Sequence, residues 1–93
     1  MYQEYTGLEP NKRGEVLDEA KKIINEDRQD AYGNPEDCFG MIARYWSVYV
    51  GVPISGKDVC MMMTLLKISR ESLVHKHDNI VDACGYLGIY ESL

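Results

Sequence analysis

Apolar residues recur along this chain at intervals of three and four, the signature of amphipathic helices. Val16, Leu17, Ala20, Ile23 and Ile24 form one stripe and predict a helix from about Asn11 to Arg28. A second helix is signalled by Asn34 as N-cap, Pro35 at the first helical position, and Glu36 and Asp37 in the positive first turn. Its stripe is Phe39, Ile42, Trp46, Tyr49 and Val50, and Gly51 stops it. Ser55 and Asp58 form a capping box, with Asp in the usual place of Glu, before a third helix whose body is Val59 to Arg70. That helix is apolar on two opposite sides, Val59, Met62, Met63 and Leu66 against Met61, Leu65 and Ile68. A fourth, from about Asp78 to Ser92, is apolar almost all round.

The expected fold is therefore all-α. Residues 1–10, with Tyr2, Tyr5 and Leu8, form an N-terminal arm, and residues 11–93 form a single helical domain. Short connections favour antiparallel neighbours, so the simplest architecture is a four-helix up-down bundle. In that topology the end of helix 1, the start of helix 2, the end of helix 3 and the start of helix 4 share one end. The apolar excess on helices 3 and 4 points to a second buried contact and hence to a homo-oligomer. Gly85 and Gly88 allow a close backbone approach on helix 4.

Composition narrows the classes. The 93 residues carry a formal charge of −5, which argues against binding a duplex nucleic-acid backbone but leaves room for one small phosphorylated ligand. No apolar run approaches the ~20 residues of a membrane span and no signal peptide is visible, so a cytoplasmic location is expected. Cys38, Cys60 and Cys84 each lie within an apolar helical pattern and read as reduced thiols, with no C-x-x-C pair to suggest zinc.

A few charges are out of place. Asp27 lies one turn beyond Ile23 and Ile24 on the buried stripe, at the negative end of its helix, and calls for an arginine, a lysine or a metal ion. Arg70 continues the Met63–Leu66 stripe with Lys67 at its edge, which suits either a helix C-terminus or a phosphate clamp. Asp78 and Asp82 stand i, i+4 on one helix face. Two carboxylates so placed repel and ask for a cation, either Mg²⁺ or the Lys67/Arg70 pair. Tyr32 and Gly33 fit a turn with positive φ or, beside Arg28 and the capped helix start at Asn34, a base-stacking and phosphate position. His75 and His77 either cap helix 4 or act on a phosphate.

The segments "EDRQDAYGNPEDCF", "DVCMMMTLLKISR" and "HDNIVDACGYLG" resemble the blocks of a small family common in bacteriophages and prophages. Its pattern is R-x-x-x-Y-G-[DN]-P, then K-x-x-R, then D-x-x-x-D-x-x-G-Y, covering roughly residues 15 to 90. The resemblance implies a phage or prophage origin, a bacterial host cell and a helical fold, without a particular activity. More distantly the layout is similar to the all-α nucleoside triphosphate pyrophosphohydrolases of the MazG type, in which acidic pairs on two helices hold Mg²⁺ over the phosphate chain. Asp78/Asp82 takes the place of one pair, with spacing four and not three, and Asp27 is left to pair across. Together these imply a nucleotide or related phosphorylated ligand at one end of the bundle. Arg28, Tyr32, Asn34, Lys67, Arg70 and His77 would bind it, and Asp27, Asp78 and Asp82 would hold Mg²⁺. The alternative is a non-catalytic phage antagonist of host defence, which sequesters a nucleotide signal or binds a host protein.

Overall fold

The computed structural model describes residues 11–27, without the Asp27 side chain, and residues 31–93. The expected N-terminal arm and Arg28 lie outside the described residues.

Local capping sets where the helices begin. Asn11 accepts a hydrogen bond from the Gly14 N–H at 3.1 Å and opens α1, Lys12–Lys22. This helix continues into a π-helical turn, Ile23–Asp27. Asn34 accepts from the Asp37 N–H at 2.9 Å, with Pro35 following it, and opens α2, Pro35–Val50. Gly51 closes α2 in the left-handed conformation, φ 83°, which suits glycine. Ser55 and Asp58 bond reciprocally, at 3.1 and 2.9 Å, and start α3, Gly56–Leu73. The last helix is α4, His77–Ser92. Among the described residues these four long helices stand without a strand.

The all-α expectation is met, but the packing departs from an up-down bundle. Helices α3 and α4 form the antiparallel hairpin at the centre, with Lys67 beside Asp82 and Gly56 against Leu93. Helix α1 packs on α4 and runs in the same direction. Glu19 meets His77 at the start of α4, and Ile24 reaches Gly85 and Gly88 further along it. An up-down order requires these two helices to be antiparallel. Gly85 and Gly88 therefore accommodate Ile24 of the same chain, whose methyl carbons lie 3.1 Å from where each glycine's Cβ would stand.

Helix α2 meets the hairpin as far as Trp46, which packs against the core together with Ile42. Phe39 lies against Gly56, and Phe39 and Ala43 join Val59, Cys60 and Ile89 in the core. Beyond Trp46 the helix overhangs. The chain after Gly51 folds back beside it, where Ser47 Oγ accepts from the Ile54 N–H at 2.8 Å and donates to the Ala43 carbonyl at 2.7 Å. Tyr49 and Val50, expected in the buried stripe, are exposed.

The buried line of α3 is also displaced from the one its largest apolar residues trace. It runs through Val59, Cys60 and Thr64, with Met63 and Lys67 half-buried, while Met62 and Leu66 are exposed. Thr64 can be buried because its hydroxyl donates to the Cys60 carbonyl at 2.8 Å. Arg70, expected on the buried stripe, is exposed. Its place at the seam is taken by Glu71, which accepts from the Lys76 N–H at 3.0 Å and from Asn79 Nδ2 at 3.2 Å. Those bonds fasten the end of α3 to the start of α4.

Candidate functional site

Because α1 rests on α4 and α2 on α3, the two upper helices leave a cleft between them over the hairpin. Its volume is about 270 Å³. Ala20, Ile23 and Ile24 form one side, and Cys38, Ile42 and Trp46 form the other. The hairpin contributes Met63, Val81, Gly85 and Tyr86, and Tyr32 stands at the exposed rim. Tyr86 is steadied by an edge-to-face contact with Phe39, with ring centroids 6.2 Å apart at 81°.

In this apolar lining, Asp82 is the one charged side chain among the described residues. Its Oδ2 lies 2.8 Å from Lys67 Nζ, and the two side chains are only 18% and 14% exposed. The cation that Asp82 needs is thus Lys67, one of the two alternatives its position left open. An ammonium has three donors, so Lys67 keeps capacity beyond this bond, and Asp82 keeps its second oxygen.

The other expected site residues are distributed as follows. Asn34 is occupied as the α2 cap. Arg70 is exposed near the end of α3. His77 Nε2 is bound to Glu19 Oε2 at 2.6 Å, an attraction that with Asp78 nearby raises the imidazole pKa above its ordinary 6.5. His75 pairs with Glu71, whose carboxyl is held below its ordinary pKa chiefly by the Lys76 N–H, then by His75. Asp78 is exposed in the first turn of α4. Among the described residues, no group of three His, Cys, Asp or Glu side chains is arranged to hold a metal ion. The side chain of Asp27 lies outside the described residues.

The expected gathering at one end is therefore divided along α4. Lys67, Arg70, His77 and Asp78 belong to its first half, while the end of α1 lies by Gly85 and Gly88. Asp82 stands between, and the cleft passes over it. Several contributors were hidden in the sequence. Trp46 and Tyr86 look like core, and Glu19 finds His77 across 58 positions, a pairing no local pattern signals. Burial pushes the Cys60 thiol up to about 11, which disfavours the reactive thiolate.

A family model described as "Domain of unknown function (DUF6378)" matches residues 15–93. The chain belongs to this family. Similar proteins come from phages, the origin that the resemblance implied. The Gene 55 protein of Mycobacterium phage L5 is 40% identical over 81 residues, covering 84% of this chain and 51% of the phage protein. The Gene 55 protein of Mycobacterium phage D29 is 37% identical over 79 residues, covering 84% and 52%. The chain spans about half the length of these curated relatives. No solved structure matches it, and no helix among the described residues is long and apolar enough to cross a membrane.

Proposed function

We propose that this phage-type DUF6378 chain binds a nucleotide or a related phosphorylated ligand, with the base in the cleft between α1 and α2. The observation that carries this is the Lys67–Asp82 pair set beside an aromatic, otherwise apolar slot. Ligand sites combine a mainly apolar wall with a few placed polar groups and usually span ~300–1,000 Å³. At about 270 Å³ this cleft has room for a base or nucleoside and leaves the phosphates outside. Tyr32 on the rim would cover the base or sugar, and Arg70, with Lys67 a turn before it, would face the phosphates. Mg²⁺ usually binds one or two carboxylates together with substrate phosphates. It would then come with the ligand, and Asp78 is the exposed carboxylate on offer.

A Mg²⁺-dependent pyrophosphohydrolase of the MazG type is the enzymatic form of this proposal. Binding is favoured over hydrolysis because Lys67 engages the carboxylate of Asp82. A non-catalytic protein that sequesters a nucleotide signal from host defence fits the same cleft. A second reading, contact with another copy or with a host protein, has its own support in the exposed apolar side chains of α2 and α3.

Thermal shift with a panel of nucleotides, with and without Mg²⁺, tests these readings. Nucleotide-dependent stabilisation is expected, growing with ligand concentration as mass action requires. Stabilisation without turnover selects the sequestering protein over the enzyme. The absence of any shift at millimolar nucleotide would leave only the protein-contact reading.

A further inference from the structure

Resting on the reading of the cleft as a base site, we infer that Asp82, anchored by Lys67, selects guanine. A carboxylate only accepts hydrogen bonds and an ammonium only donates them. Oδ2 of Asp82 is engaged by Lys67 at 2.8 Å, which leaves Oδ1 for a donor, while Oδ2 has a remaining lone pair. Asp82 is the charged side chain that lines the cleft, so from the cleft its carboxylate, held in place by Lys67, offers two adjacent acceptors.

Base recognition in a pocket works through the Watson–Crick edge together with stacking on aromatic and apolar side chains. Guanine presents two adjacent donors on that edge, N1–H and N2–H, which complement the two oxygens of the Asp82 carboxylate. Adenine and cytosine each place an unprotonated ring nitrogen where the carboxylate needs a donor. Uracil and thymine offer one donor flanked by two acceptors, so one carbonyl would face Asp82. Each mismatch leaves a charged, largely water-excluded group facing a lone pair, a costly arrangement. The neighbours suit a planar ring: Trp46, Tyr86 and Met63 are apolar, and Gly85 adds no side chain to fill the slot.

The lone tryptophan lines the cleft and reports its occupancy. Wild-type protein is titrated with GMP, IMP, AMP, CMP and UMP, following Trp46 fluorescence and, independently, calorimetric heat. The phosphate is common to all five, so differences belong to the base. GMP should bind most tightly. It should exceed IMP, which lacks only the N2 amine, by roughly 10-fold, the value of one hydrogen bond to a charged group. Asp82→Asn, with its fold verified by circular dichroism, should erase the margin of GMP over IMP, because the amide supplies one acceptor and not two. Equal binding of GMP and AMP overturns the guanine assignment and leaves the cleft as a base site. Survival of the GMP margin in Asp82→Asn overturns the role of Asp82. Failure of all five to bind overturns the base site itself, and the wild-type panel decides even if the variant does not fold.

Discussion

Asp82 forms an ion pair with Lys67, and both side chains are mostly withdrawn from water. Replacing it with Asn strands the ammonium. Breaking a fully buried pair costs ~3–5 kcal/mol, and since this one keeps some exposure a loss of about 1–3 kcal/mol is expected. Urea denaturation of Asp82→Asn measures it. Changing both partners, Lys67→Met with Asp82→Leu, should recover much of the loss, and a double variant no better than the single would remove the ion pair as its cause. The glycines give a second residue-scale prediction. Alanine in a helix interior is favoured over glycine by ~1 kcal/mol. At Gly88 the added methyl meets the terminal Cδ1 of Ile24, which can rotate away, so Gly88→Ala should keep most of that gain. At buried Gly85 it meets Cγ2, fixed at the β-branch, so Gly85→Ala should be the less stable of the two. Equal melting temperatures would show that Ile24 yields at both.

The helices themselves were mostly legible, and the reasons lie in local chemistry. The Asn34-Pro35 start, the Ser55–Asp58 capping box and the left-handed Gly51 act within a few residues and fold as their sequences suggest. What the pattern could not supply were facts belonging to two elements at once. Thr64 and Lys67 lie on the buried line of α3 although both are polar, since the Cys60 carbonyl and Asp82 satisfy them. The direction of α1 depends on Ile24 finding two glycines, and on Glu19 finding His77. That last contact makes the α1–α4 junction sensitive to pH. The folded-state pKa of His77 is raised by the Glu19 hydrogen bond and charge, so the protonated ring binds better in the folded chain. Its contribution is complete below the ordinary 6.5 and is lost as pH rises through the raised folded value. Glu71 works in the opposite direction and in another window. Its depressed pKa contributes above the ordinary 4.5 and is lost as pH falls through the folded value. Glu19→Gln should therefore flatten the fall in stability that begins near pH 6.5 and leave the acid limb unchanged. An unaltered fall in the variant, followed by melting temperature against pH, would assign the upper window to another group.

At the scale of the whole molecule, the overhang of α2 decides the surface. The chain extends 51 × 30 × 19 Å with a radius of gyration of 15.5 Å, against about 12 Å for a closely packed domain of this length. It exposes 7120 Å², where a 10.6 kDa monomer is expected to expose about 5,500 Å². Among the described residues, the most exposed apolar side chains include one row. Tyr45, Val48 and Tyr49 of α2 are 71%, 84% and 92% exposed, and exposed Val52 continues the row without a charge. Met61, Leu65 and Ile68 of α3 add a second uncharged strip. Tyrosine and methionine without charge describe the centre of a protein interface. Each tyrosine brings ~150–250 Å² of contact surface, so the row comes near the ~800 Å² per partner of a standard interface. A self-complementary contact between two copies buries no like charges here, which favours a symmetric homo-oligomer. At micromolar concentration, light scattering should give a multiple of the chain mass. Tyr49→Glu should return it to the single-chain mass without lowering the stability of the isolated fold, because that side chain has almost no contacts within the chain to lose. Wild-type protein at one chain's mass across that range would instead leave the row for a partner of another kind.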